Sequence, residues 1–535
     1  MNLLRSASTF SAMTLVSRLL GLARDIVLSR SFGASAATDA FFVAFKIPNF
    51  LRRLFAEGSF SLAFVPVLAE YRARDDKSEL KSLIDATTGC LLAVLLVLTG
   101  LGVLAAPWVV AAFAPGFADQ PEQQQLAASL LRITFPYLPL IALTALAGGI
   151  LNTLGRFAVP ALTPALLNIC LIAAAVLFAP QFAEPIEALA WGVLAAGVVQ
   201  LAVQVPVLAR HGVLPRPWPD FSHPGVRRIL KLMLPTLFGS SVAQINLMLD
   251  VLIASLLIEA SISWLYYGDR LMEFPLGLFG VALSVVVLPT LASQHARADR
   301  VEFRATLDWA LRLGVLIALP AATGLALLAE PIVATLFHYG RFAAEDVQMA
   351  ALALACYCAG LPAFIGVKIL APAFYARQDT MTPVRIGIIA LSANMVLNIV
   401  FVLSIAGTLA GGFDAGIRAT LAAHPGVHAG LALASAASAW LNAALLWRNL
   451  RARDDAAGLP WRVIGQSAFG CALMAIVLLM LSPATSGWLE QGLAGRIGWL
   501  TGLVGLGALV YAATLLALGR RPRELIHRVQ TRDGG

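Results

Sequence analysis

The sequence predicts an all-α integral membrane protein of about fourteen transmembrane helices. They are arranged as two six-helix lobes, related as parallel repeats around a central cavity, with two extra helices at the C-terminal end. Three observations carry this. The 535-residue chain is 59% hydrophobic and only 13% charged, about half the charged share of an ordinary soluble domain. Its apolar runs are long and recur along the whole length, so they are not a single anchor on a soluble body. A shift of 223 residues (61 to 284) brings Ser61, Pro66, Leu68 and Ala69 onto Ser284, Pro289, Leu291 and Ala292, and Pro160 onto Pro383.

In chain order the expected spans are 10–31, 36–70, 83–112, 125–152, 159–180, 186–208, 227–258, 263–294, 307–337, 345–376, 384–406, 428–449, 461–481 and 496–519. Each is an apolar run of roughly 20 residues or more between polar or Pro/Gly-rich turns. Pro48, Pro275 and Pro362 lie inside long spans and predict kinks. The first span begins like a targeting segment, but Arg18 and Arg24 interrupt its apolar stretch, so it reads as uncleaved. Residues 1–223 form the first lobe, 224–450 the second, and 451–535 the two additional helices and a basic tail. Six spans per half keep both halves in one orientation, which suits alternating access about an axis along the membrane normal. The five cysteines all fall in apolar runs and read as small packing residues.

Basic residues set the orientation. Of 38 Lys and Arg, only Arg30, Arg341, Arg418 and Arg496 fall in connections on one side. Eight lie inside spans (Arg18, Arg24, Lys46, Arg52, Arg53, Arg132, Arg270 and Lys368), and all the others fall on the opposite side with both termini. That side is expected to be the cytoplasm. The net charge of +8 then reflects orientation signals and gives no reason to expect nucleic acid. No GxxxxGK[ST] loop occurs, so the chain encodes no ATP-driven pump. The seven histidines form no metal-ligand spacing, and Asp75-Asp76 reads as a solvated pair in a charged loop.

The chemistry is expected where charge meets apolar sequence. An ionic side chain at the centre of a bilayer helix costs about 2.5–3.5 kcal/mol on insertion scales, so such groups face something other than lipid. In the first span Arg18, Gly21 and Asp25 share a face, bordered by Arg24. In the second, Asp39, Lys46, Asn49 and Arg53 form a stripe with Arg52 at its edge. Glu57 follows. Arg18, Arg24, Lys46, Arg52 and Arg53 outnumber Asp25, Asp39 and Glu57, so the surplus is positive, and arginine's planar fork suits phosphate. In the second half Asp269, Arg270 and Glu273 share a face, and Lys368 lies in the tenth span. The competing reading is that these charges only pair with one another to hold helices together.

The segment GLARDIVLSRSFGASAATDAFFVAFKIPNFLRRLFAEGSFSLAFVPVLAEY (21–71) resembles the MviN/MurJ family of lipid II flippases, within the multidrug/oligosaccharidyl-lipid/polysaccharide exporter superfamily. The resemblance extends over essentially the whole chain, including YYGDRLMEFPLGLFGVALSVVVLPTLA (266–292) and FYARQDTMTPV (374–384). It implies a cationic central cavity and a groove, lined by the last two helices, for a polyprenyl tail. Carried over by position, Arg18, Arg24, Arg52 and Arg270 look like diphosphate-binding arginines, and Asp39 like a charged partner that changes between states. The family's sodium site finds its nearest matches in Asp250, Asn394 and Asn398, the last an amide where an acid would serve a cation better. Sodium is thus the coupling ion the resemblance implies, and no other cofactor is expected.

The expected function is translocation of lipid II, an undecaprenyl-diphosphate-linked disaccharide-pentapeptide, across a bacterial inner membrane. Its partners would be lipid II, the surrounding lipids and cell-wall synthesis proteins. The alternatives are an exporter of another polyprenyl-linked glycan or of a small cation, and a non-transporting membrane scaffold. A lipid-diphosphate-processing enzyme would need a catalytic set that the sequence does not show.

Overall fold

The computed structural model describes residues 3–54, 59–74, 76–414, 416–453, 458–483 and 485–520. Among them every regular element is helical. Among the described residues ten helices are long and apolar enough to cross a membrane, or eleven when a pair bent by 42° is counted as one span. Within the same residues, the expected span 36–70 comes as two helices, Ala36–Arg52 and Ser59–Ala73, and the expected count of fourteen is not reached by length and composition. The chain divides into two compact units, Met1–Ile262 with Tyr339–Arg341, and Ser263–His338 with Phe342–Gly535.

The first unit holds α1 (Leu3–Phe32), α2 (Ala36–Arg52), α3 (Ser59–Ala73), α4 (Lys77–Leu104), α5 (Ala106–Phe113), α6 (Pro121–Thr134), α7 (Tyr137–Thr153), α8 (Ala158–Ala173), α9 (Glu187–Arg210) and α10 (Pro224–Ser255). Here α1 lies on α8, α2 on α6, α9 against α7 and α8, and α3 against α7 and α10. Helix starts follow capping chemistry. Ser35 accepts from the Thr38 amide at 3.3 Å ahead of α2, and Asp76 accepts from Ser78 and Glu79 at 2.8 and 3.1 Å ahead of α4. Asp76 is therefore a helix cap; Asp75 lies outside the described residues. The 223-residue shift sets α10 at the head of the second repeat, yet by packing it belongs with the first unit.

The second unit holds α11 (Ser261–Pro275), which starts at the boundary, then α12 (Val281–Ala296), α13 (Arg300–Leu327), α14 (Ala329–Phe337), α15 (Ala344–Cys358), α16 (Leu361–Tyr375), α17 (Met381–Ala410), α18 (Ile417–Ala423), α19 (Ala429–Ala452), α20 (Trp461–Leu481), α21 (Thr485–Glu490) and α22 (Leu493–Ala517). α17 lies on α19, α16 between α13 and α19, and α20 between α13 and α22. Two of the three proline expectations appear as local irregularities, while Pro48 lies within α2. A π-turn, Leu276–Gly280, follows Pro275 directly, and α15 and α16 meet at the 42° bend just before Pro362.

Two devices hold such helices together where burial of apolar surface supplies little drive, because acyl chains are as apolar as leucine. The first is close approach. A Cβ on Gly430 would lie 2.9 Å from the Val402 nitrogen, so only glycine lets α19 meet α17 there. The second is repair of proline breaks. A helical proline leaves the carbonyl four residues earlier without its N–H. Thr134 donates to the Ala44 carbonyl freed by Pro48 at 2.9 Å. Thr163 donates to the Pro160 carbonyl freed by Pro164 at 2.8 Å. Tyr511 donates to the Leu316 carbonyl freed by Pro320 at 2.9 Å, with Ser467 2.6 Å from its hydroxyl. The last contact fastens α20 and α22 to α13. The five cysteines are all free.

Candidate functional site

In the first unit the expected charges fall into two settings. Arg24 and Asp25 are buried, the carboxylate completely. Arg24 donates to Asp25 Oδ1 from Nε at 2.9 Å and from Nη2 at 2.5 Å. Its Nη1 donates to Asn168 Oδ1 on α8 at 3.1 Å, and Asn168 Nδ2 returns to the Ser17 carbonyl on α1 at 3.1 Å. Two helices and two opposite charges thus share one polar knot. Arg18, two turns earlier on α1, is exposed.

On α2 the stripe runs from a buried acid to exposed base. Asp39 is buried in the first turn, where the positive end of the helix favours a carboxylate. Lys46, Asn49 and Arg52 are half-buried and Arg53 is exposed. Asn49 Nδ2 donates to the Phe45 carbonyl at 2.8 Å, and its Oδ1 accepts from Arg52 Nε at 3.1 Å. Asn49 therefore orients the Arg52 guanidinium on α2. Glu57 lies outside the described residues.

In the second unit Arg270 donates to Glu273 Oε2 at 3.0 Å, with side chains 33% and 51% exposed. Asp269 is half-buried and Lys368 exposed. Asn394 and Asn398 are buried one turn apart on α17, whereas Asp250 is half-buried on α10, in the first unit. Among the described residues no group of three or more His, Cys, Asp or Glu could hold a metal ion.

Two contributors were not singled out in the sequence. Asn168 is a lone amide in an otherwise apolar span, and that contrast is the signal that could have found it. Arg496, expected in an outer connection, is buried and donates to the carbonyls of Trp488 and Leu489 at 2.8 Å each, Ala334 at 3.0 Å and His338 at 3.3 Å. It satisfies helix-end carbonyls of α14 and α21, which ties the start of α22 to the second unit.

The fold is that of a multi-pass transporter. An inward-facing multidrug transporter of the MATE family, in the MOP superfamily, matches with a TM-score of 0.63 over 84% of this chain and 98% of that one; at 16% identity this is a likeness of fold alone. A solved lipid II flippase MurJ in an inward closed conformation matches with a TM-score of 0.78 at 27% identity, over 96% of this chain and 99% of that one. The family description "Lipid II flippase MurJ" fits residues 28–494. The probable lipid II flippase MurJ of Vibrio cholerae is 44% identical over 98% of this chain and 97% of its own length. The lipid II flippase MurJ of Burkholderia cenocepacia is 43% identical over 97% and 98%. The chain belongs to the lipid II flippase MurJ family.

Proposed function

We propose that this protein carries lipid II from the cytoplasmic to the periplasmic leaflet of the bacterial inner membrane by alternating access of two lobes, with both termini in the cytoplasm. Membership of a flippase family supplies the substrate and makes the chain a transporter, not an enzyme. The lobes correspond to the two halves of the 223-residue repeat (61 to 284), each contributing six of fourteen spans. The sugar-peptide head cannot cross hydrocarbon alone, since each unpaired polar group costs several kcal/mol there.

The observation that carries the mechanism is the excess of cationic over anionic side chains on α1 and α2 beside the Arg24–Asp25 pair. A diphosphate offers more charge and more oxygens than one carboxylate, so it competes with Asp25 for the Arg24 fork. Arg18, Arg52, Arg53, Lys46 and, from the second lobe, Arg270 supply the other contacts, with Asn49 orienting Arg52. Asp25, Asp39, Glu57, Asp269, Glu273 and Lys368 balance this charge when the site is empty. Outward movement of net negative charge is favoured by about 2.3 kcal/mol per charge per 100 mV of inside-negative potential. Sodium held by Asp250, Asn394 and Asn398 would couple a second gradient.

The test is headgroup accessibility of lipid II in vesicles holding the full chain. Removing the charge at Arg24 and Arg52 together lowers the flipping rate at least tenfold, and collapsing the potential lowers it further. Unchanged flipping in Arg24→Ala/Arg52→Ala would end the diphosphate reading. Sodium dependence is read in the same vesicles with choline as the replacement, where an unchanged rate removes the sodium site.

A further inference from the structure

The connection from α9 to α10, residues 211–223, belongs to neither transport chemistry nor the helix bundle. It reads Pro215-Arg216-Pro217-Trp218-Pro219-Asp220-Phe221 at its centre. Alternating prolines hold such a stretch extended at little entropic cost. Its backbone is fixed against α4. Asp85 Oδ1 accepts from the Arg216 amide at 2.7 Å, and the Trp218 amide points to the Asp85 carbonyl at 3.4 Å. Gly89 has to be glycine, because a Cβ there would lie 2.2 Å from the Trp218 carbonyl carbon. Val213 is buried in the apolar cluster with Leu83 and Ile84. Asp220 accepts from the Ser222 hydroxyl and from the Ser222 amide at 2.9 Å; the hydroxyl first, then the Ser222 and His223 amides, hold its carboxyl below the usual range.

A strap built this rigidly nevertheless presents its largest side chain outward. Trp218 is 75% exposed and Phe221 49%. Arg216 within the strap, Arg210 at the end of α9, and Arg227 and Lys231 early in α10 are exposed, and Arg227 Nε donates to the Phe221 carbonyl at 3.4 Å. Asp220 is occupied within the strap, and Arg228 is paired with Glu70 at 2.6 Å.

The depth follows from α4. Its charged residues, Lys77, Glu79, Lys81 and Asp85, all precede Ala86, and none follows as far as Leu104. At 1.5 Å per residue that uncharged stretch spans about 28 Å, close to the roughly 30 Å of a hydrocarbon core. Asp85 and Gly89 therefore mark the edge of the core, and Trp218 sits beside them at the level where indole rings favour the headgroup region.

We propose that the 211–223 strap is a docking surface for anionic phospholipid, with Trp218 and Phe221 seated among the upper acyl chains and Arg210 and Arg216 on headgroup phosphates. This rests on the membrane-spanning fold and is independent of the cargo. The test uses the full chain in vesicles of phosphatidylcholine containing brominated phosphatidylglycerol or, at equal mole fraction, brominated phosphatidylcholine. Trp218 emission is obtained as the wild-type signal minus that of Trp218→Phe. Quenching by the brominated anionic lipid is expected to exceed that by the zwitterionic one. Each arginine removed (Arg210→Gln, Arg216→Gln) lowers the preference about fivefold at low salt, whereas Arg216→Lys retains it. Millimolar inorganic phosphate leaves the signal unchanged. Equal quenching by both lipids, no quenching by either, or release by free phosphate would each overturn the proposal, the second pointing to solvent or a protein on this face. Lipid II flipping measured in parallel separates failure here from failure of the transport mechanism.

Discussion

Two arginine–carboxylate pairs, one in each unit, show opposite economies of charge. Arg24 and Asp25 lie on α1 with the carboxylate fully buried, and Asn168 closes the arrangement from α8. Arg270 and Glu273 lie one turn apart on α11, 33% and 51% exposed. An exposed pair of this kind contributes about 0–1 kcal/mol. A buried pair contributes little as a unit, because desolvation offsets attraction, but losing one partner costs about 3–5 kcal/mol. Breaking the Arg270–Glu273 contact thus costs little, whereas separating Arg24 from Asp25 costs much more. The difference teaches that equal charges within apolar helices need not be equally ready to bind, and that burial of the partner decides which.

The sharpest way to break this comparison is to remove one carboxylate from each pair. Asp25→Asn is expected to lower stability by about 3–5 kcal/mol, read as thermal unfolding in detergent, and Glu273→Gln by no more than about 1 kcal/mol. Equal losses would show that the two settings do not differ. A smaller effect is expected at the amide that completes the knot. Asn168→Leu removes a hydrogen bond to a charged group and one to the Ser17 carbonyl, at about 1–3 kcal/mol. If its effect simply adds to that of Asp25→Asn in a double-mutant cycle, Asn168 is a packing residue and not part of one network.

Much of this was legible in the sequence, for physical reasons that differ by element. The helices α4, α9, α17, α20 and α22 each carry an apolar window long enough to cross a bilayer, whose thickness sets that length. The breaks near Pro275 and Pro362 follow from a missing N–H. The charged residues of α1 and α2 were conspicuous because their cost in lipid is so high. Partnership was not legible. Spacing sets Arg24 and Asp25 at adjacent positions, which do not normally face one another on a helix, yet arginine is long enough to fold back onto its neighbour when Asn168 holds the other end of its fork. Arg496 was misjudged for a related reason: its partners are carbonyls, and no sequence pattern announces which helix ends will converge on a given side chain. Packing of α10 with the first unit was equally hidden, since internal similarity reports ancestry of a segment and not its neighbours.

The smallest expected effect concerns a third pair, outside the spans, where both exposure and pH can be read. Asp379, between α16 and α17, accepts from the Thr382 amide at 3.0 Å and hydroxyl at 2.8 Å and from Arg453 Nη1 at 2.8 Å. The Thr382 amide first, then its hydroxyl and Arg453, hold this carboxyl below the usual value. Because the folded-state pKa is depressed, the stabilisation is complete above the unfolded value of 3.8 and is lost as pH falls through the folded one. With Arg453 40% exposed, the contribution is limited to about 0.2–1 kcal/mol. Asp379→Asn is therefore expected to lower the unfolding temperature slightly at pH 7, by an offset that shrinks as the pH falls below 3.8. An offset that stays unchanged as the pH falls far below 3.8 would mean that the geometry at Thr382, and not the carboxylate charge, anchors the start of α17. The third pair would then join Arg24 and Asp25 as an arrangement held by its fixed partners, and exposure alone would cease to separate the pairs.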